Sequence, residues 1–199
     1  MPTVESDVKM RILQTAKRLF AKQGFDATSV RQICEEASVN VALISYYFGG
    51  KENVLKAMLQ EFMPISRLPE FEDELQDPVI GIRRIIREVV GMRYREPELI
   101  SIVQQEIALM SSRIAFLQEF TFPLWSRFRD LLAEGRKRGV FEFESLDNTL
   151  MFALGALLMH KQRDYFRFLM TEPEKSLSLE EMVTQTTEFI FHAVKYKGD

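Results

Sequence analysis

One cysteine cannot close a disulfide within the chain, and Cys34 is the only one present; such usage fits a reducing, intracellular setting. The only histidines are His160 and His192, and no group has metal-ligand spacing, so neither a metal nor another cofactor is expected. Nine glycines and seven prolines are few for 199 residues, which leaves room for long unbroken helices. The longest apolar stretch, Leu150 to Met159, is half of the roughly 20 residues a membrane-spanning helix needs and reads as a buried helix. The first ten residues carry Glu5 and Asp7 and no apolar core, so no signal peptide is expected and the cytoplasm is the expected location. Strand-like alternation, internal repeats and low-complexity stretches are missing. So are a nucleophile elbow, an HExxH helix, a phosphate loop and a glycine-rich dinucleotide turn, so an enzyme is not expected.

A net charge of −3 argues at first sight against nucleic acid, but its distribution is uneven. Residues 1–56 hold eight Lys or Arg against six acids, leaving the deficit to the remainder. The asymmetry is mild and permits, without requiring, a nucleic-acid partner.

What the chain does have is helical periodicity. Ile12, Leu13, Ala16, Leu19 and Phe20 mark one face of a first helix that ends at Gly24. Ser29 and Gln32 have capping-box spacing for a short second helix with Ile33 and Ala37 inward, and Asn40 caps a third helix through Tyr47. Gly49-Gly50 breaks the pattern, and a longer helix runs from Lys51 to Phe62. The proline-rich acidic stretch after Phe62 reads as a surface connection. Further helices are expected from Val79 to Arg95, from Pro97 to Met110, and from Arg113 to Arg138 with an interruption at Pro123 and an end at Gly139. Two more run from Ser145 or Asp147 to Met170, and from Ser178, with Glu181 in the reciprocal position, to Tyr196. The expected fold is all-α, about nine helices, with a three-helix helix-turn-helix head (1–50) on a helical-bundle body (51–199).

Residues 29–48 have the dimensions of a helix-turn-helix, in which the second helix presents its N-terminal residues to base edges while flanking groups grip phosphates. The adjacent Tyr46 and Tyr47 carry hydroxyls that reach phosphate oxygens, and Lys51 at a helix start makes an anion site. The stretch from Ile12 to Leu55 resembles the DNA-binding head of the tetracycline-repressor (TetR) family. The resemblance is carried by Ala16, Leu19-Phe20, Gly24-Phe25, Thr28 to Ile33, Ala37, Val39, Tyr46-Tyr47-Phe48 and Lys51-Glu52. This chain departs from the family at Ser38, where glycine is usual, at Ser45 in place of tyrosine, and at Gly49 in place of a basic residue.

The resemblance implies DNA-binding roles for Thr28, Ser29, Arg31, Gln32, Val41, Ala42, Leu43, Ser45, Tyr46, Tyr47 and Lys51, with Arg31 the main base reader and Ile44 and Phe48 buried. It implies a homodimer formed through the last two helices, a palindromic double-stranded DNA operator, and repression relieved by an effector. The alternative is an activator or chromosome-organising factor without a small-molecule ligand. The expected effector is apolar, held where Pro123 kinks its helix, among Met92, Ile107, Met110, Phe116, Phe120, Trp125, Phe152 and His160, with the Lys51 to Phe62 helix carrying the movement to the head. His160 reads more readily as a satisfied core or interface histidine than as a ligand group. Arg136-Lys137-Arg138 reads as cations complementing a helix C-terminus. Cys34 beside Glu35 and Glu36 reads as an inert buried thiol.

Overall fold

The computed structural model describes residues 4–159, 165–171 and 177–198. Among them are nine α-helices: α1 (Val4–Gln23), α2 (Val30–Ala37), α3 (Val41–Phe48), α4 (Lys51–Phe62), α5 (Pro78–Arg95), α6 (Pro97–Ala108), α7 (Ile114–Lys137), α8 (Leu146–Met159) and α9 (Leu179–Ala193). The all-α expectation holds. By packing the chain forms two compact units, residues 1–65 with 96–121, and residues 66–95 with 122–199. The boundary expected near residue 50 is one of function; as a packed body the first unit also takes in α4 and α6.

In the first unit α1 packs against α2, α4 and α6. The stripe Ile12, Leu13, Ala16, Leu19 and Phe20 is buried, as are Val54, Leu55, Met58 and Leu59 of α4. Polar ties fix α6 on α1. The Lys17 ammonium meets the Glu96 carboxylate, and Gln105 donates through Nε2 to the carbonyl of Ala21 at 3.1 Å.

The core of the second unit gathers Ile82, Ile85, Ile86, Val89 and Val90 of α5, Phe128, Leu131 and Leu132 of α7, Ala153 and Leu157 of α8, and Met182, Val183, Ile190 and Phe191 of α9. The proline-rich stretch is more than a surface connection. It forms 3-10 turns over Pro64–Phe71 and Glu74–Gln76, and Phe71 and Leu75 are buried in this core. Leu68, Phe71 and Leu75 are spaced to share one helical face, a signal masked by the surrounding prolines and acids.

Two further expectations are corrected. α7 runs through Pro123 without a break. Pro123 lies on the exposed side, where water can take the place of the missing intrahelical N–H. The helix expected to reach Met170 is described to Met159, and by Tyr165 it has ended. Residues 165–166 form a turn and Arg167–Leu169 a single 3-10 turn. The apolar run there imitates helical periodicity, yet Phe168 is 92% exposed, so no packing rewards a longer helix.

α7 closes as a Schellman motif. Gly139 (φ 75°) donates to Arg136, and the N–H of Val140 donates to the carbonyl of Gly135 at 3.0 Å. Phe141 then folds back onto Gly135 so closely that a Cβ there would sit 2.0 Å from the ring. Gly135→Ala should therefore destabilise the protein by about 1–3 kcal/mol through overpacking, although alanine is the better helix former. Thermal unfolding at or above the wild-type midpoint would show that the ring moves aside freely.

Candidate nucleic-acid interface

The second and third helices are set by local chemistry. Ser29 Oγ accepts the N–H of Gln32 at 3.1 Å while Gln32 Oε1 accepts the N–H of Ser29 at 2.8 Å, which completes the capping box. Asn40 Oδ1 accepts the N–H of Ala42 at 2.9 Å and starts α3. Between them Ser38 ends α2 in the left-handed region, at φ 53° and ψ 49°, where glycine would meet no Cβ penalty. Ile33, Cys34, Ala37 and Ile44 are the buried side of the pair. Burial first, then the neighbouring Glu35 carboxylate, pushes the Cys34 thiol pKa up, away from the reactive thiolate.

α3 offers the opposite face to solvent. Val41, Ala42, Ser45 and Tyr46 are exposed, Tyr46 by 78%, and they share one side of the helix. Leu43 and Tyr47 are half-buried, and Tyr46 and Tyr47 stack edge-on at 5.1 Å between ring centres. The Lys9 ammonium lies 5.0 Å from the Tyr47 ring, which adds a basic group from α1 that was not singled out in the sequence. On α2, Arg31 is exposed and its Nε donates to Glu35 Oε1 at 2.9 Å, one turn away. Ser29 and Gln32 are exposed as well.

Two residues of the expected set are placed otherwise. Thr28 is buried, with its hydroxyl donating to the carbonyl of Gly24 at 2.8 Å, so it builds the turn instead of facing outward. Lys51 is half-buried and its ammonium donates to the carbonyls of Phe25 at 2.9 Å and Thr28 at 2.7 Å, over the Phe25 ring at 4.3 Å. Those bonds tie α4 to the turn before α2 and commit two of its three protons.

Arg113 also approaches the Phe25 ring, 4.1 Å from its centre. Burial works against the Arg113 charge, but hydrogen bonds to Glu106 and then Asp26 outweigh it and hold its pKa above the ordinary arginine value. Neither Arg113 nor its partners were among the expected site residues. Arg113 and Glu106 are separated from the head in sequence by a span that no local motif bridges.

The expected effector residues are not assembled into one described cavity. Ile107, Met110, Phe116 and Phe120 belong to the first unit, and Met92, Trp125 and Phe152 to the second. Ile107, Met110 and Phe152 are exposed, Met92 is buried, and Trp125 is half-buried against the core of the second unit. Phe152 borders a depression of about 50 Å³ with Phe189, Ile190 and Ala193, between α8 and α9. His160 lies outside the described residues. Among the described residues no cluster of three metal-ligating side chains occurs, and no helix is long and apolar enough to cross a membrane.

A capped short helix, a tight turn and a second short helix with an exposed face define the helix-turn-helix class of DNA-binding proteins. Residues 12–58 match the family described as bacterial regulatory proteins, tetR family. Over those residues the head is that of a TetR-type DNA-binding domain. Among curated proteins the chain is 29% identical over 136 residues to YttP of Bacillus subtilis, described as a probable HTH-type transcriptional regulator, covering 65% of each chain. It is 26% identical over 135 residues to the HTH-type transcriptional repressor NicS of Pseudomonas putida, covering 65% of this chain and 64% of that one. The matches thus span just under two thirds of those relatives' lengths. Among solved structures, HlyIIR, a hemolysin II transcriptional regulator, superposes with a TM-score of 0.74 at 26% identity, over 92% of this chain and 98% of that one.

Relieving the left-handed serine tests the turn geometry. Ser38→Gly should raise stability by about 1 kcal/mol, read as a higher midpoint in denaturant with an unchanged slope. A lower midpoint would mean that the serine is not held against its preference.

Proposed function

We propose that this protein is a cytoplasmic, homodimeric DNA-binding transcriptional repressor, released from a palindromic operator by an apolar small molecule. The observation that carries the reading is the outward face of α3, Val41, Ala42, Ser45 and Tyr46, beside the exposed Arg31 of α2. A short helix anchored from behind and uncovered in front is suited to the major groove. Its side chains are small or apolar, so thymine methyl contacts and DNA shape carry much of the selection, with Arg31 as the bidentate reader of guanine. The similarity to NicS, a transcriptional repressor, favours repression. In this division of labour residues 1–50 read DNA and residues 51–199 sense and dimerise.

Dimerisation is supported by Met151, Phe152 and Met159 of α8 and Phe189 of α9, each more than half exposed. Phe152 fits this face better than an effector pocket. An interface of about 2,000 Å² or more would cover such helices, and the protein should sediment as a dimer at micromolar concentration. A monomer there would remove the palindrome along with the dimer. The effector is placed beside Trp125, whose half-buried ring belongs to the second unit.

Genomic DNA selection followed by gel shifts on the recovered operator tests the regulator as a whole. Arg31→Ala should cost about 1–3 kcal/mol on operator and much less on scrambled DNA. Lys51→Ala should weaken both alike and also lower the stability of the head by about 1–3 kcal/mol, since two charged hydrogen bonds are lost. Equal losses for Arg31→Ala on both DNAs would remove its reading role. In the same assay long-chain acyl compounds should quench or enhance Trp125 fluorescence and release operator over one concentration range. Release without a fluorescence change would place the effector elsewhere.

A further inference from the structure

The turn that launches the helix-turn-helix is gripped by a residue from outside it. Arg113 stands just before α7, beyond the corner that joins α6 to α7. Its Nε donates to Glu106 Oε2 at 2.7 Å and its Nη2 to Glu106 Oε1 at 3.3 Å. Its Nη1 and Nη2 reach Asp26 Oδ1 and Oδ2 at 3.2 and 3.1 Å, and the guanidinium lies against the Phe25 ring. Arg113 and Glu106 are buried, whereas the Asp26 side chain is 75% exposed.

The corner itself is stiff. Ser111 donates its N–H to the carbonyl of Glu106 at 3.2 Å and its hydroxyl to the Glu106 carboxylate, and it accepts the N–H of Arg113 at 3.2 Å. Met110, within the corner, is held at φ 45°. A fork–fork arginine–carboxylate contact fixes orientation as well as distance. A buried ion pair gives little net stability once desolvation is counted, so orientation is what this geometry supplies.

We propose that Arg113 is a positioning residue for DNA reading: its fork clamps the turn 25–28 to the α6–α7 corner, so that α2 and α3 follow the corner. The proposal rests on the DNA-binding reading above and adds a route to the head through Asp26, independent of α4. Any event that tilts the corner is delivered to the cap of α2, three residues beyond Asp26.

Asp26 can be cut without leaving a buried charge unpaired, because Arg113 keeps Glu106. Asp26→Ala removes an acid from the head, and electrostatics alone would raise DNA affinity. Glu36→Ala, which removes an exposed acid elsewhere on α2, is the matched control. Hydrogen exchange on the free full-length protein should show α2 amides opening at least about fivefold faster in Asp26→Ala, with α9 unchanged. Operator affinity should fall by about 5–150-fold relative to Glu36→Ala. Arg113→Lys, which keeps the charge and gives up the fork, should move both readouts the same way. Unchanged exchange in α2 overturns the proposal whatever DNA does. Faster exchange with operator affinity equal to the control also overturns it, leaving a brace with no role in reading. If the wild-type protein selects no operator, the regulator reading fails, and the exchange measurement alone decides whether Arg113 positions α2.

Discussion

The first unit depends on one aromatic ring that two cations approach. Phe25 is buried, packs on Phe20 at 5.1 Å, and has the Lys51 ammonium at 4.3 Å and the Arg113 guanidinium at 4.1 Å. Each cation is brought there by a different element, and each spends its donors on groups of the same turn: carbonyls for Lys51, the Asp26 carboxylate for Arg113. The ring is thereby a hub for α1, α2, α4 and the α6–α7 corner. Gly24, at φ 84°, lets the chain reverse tightly enough to put it there.

The parts of this architecture legible in the sequence are those whose chemistry is local. The capping boxes at Ser29 with Gln32 and at Ser178 with Glu181 both form, and Asn40 caps α3, because each needs partners only two or three residues away. The helical stripe of α1 and the glycine end of α7 were readable for the same reason. What escaped was long-range. Arg113 and Asp26 are 87 residues apart, and nothing in either neighbourhood announces the other. Lys51 read as an anion site because a lysine at a helix start has that chemistry, yet two carbonyls from the preceding turn claim it first. Phe71 and Leu75 were hidden by prolines and acids whose composition speaks of solvent while the apolar spacing speaks of a core.

The candidate DNA face shows the same split between type and placement. The resemblance assigns Ile44 to the inside and Val41, Ala42, Ser45 and Tyr46 to the outside, as the structure has them, whereas Leu43, expected outside, and Phe48, expected inside, are both half-buried. It gives no warning that Thr28 is sealed by its own hydroxyl bond, since a buried threonine and an exposed one look alike in a string of letters. The departure at Ser38 is absorbed by the backbone, which enters the left-handed region without glycine. For the effector, composition identified soft, bulky side chains but could not say which of them would turn outward; Phe152 does so.

The missing side chain at Gly135 has a consequence at the far end of the chain. Because Phe141 lies against that backbone, its ring is available to Phe191 at 5.9 Å and to Tyr196 at 6.0 Å, and those two meet at 4.9 Å. Glu142 donates its N–H to the carbonyl of Val194, and Tyr196 donates its own to that of Phe191. Helix ends ordinarily fray. Here α9 is riveted at its last turn, so opening it means opening the aromatic cluster and the core of the second unit together. The last turn of α9 belongs to the cooperative kernel of that unit and not to its loose fringe.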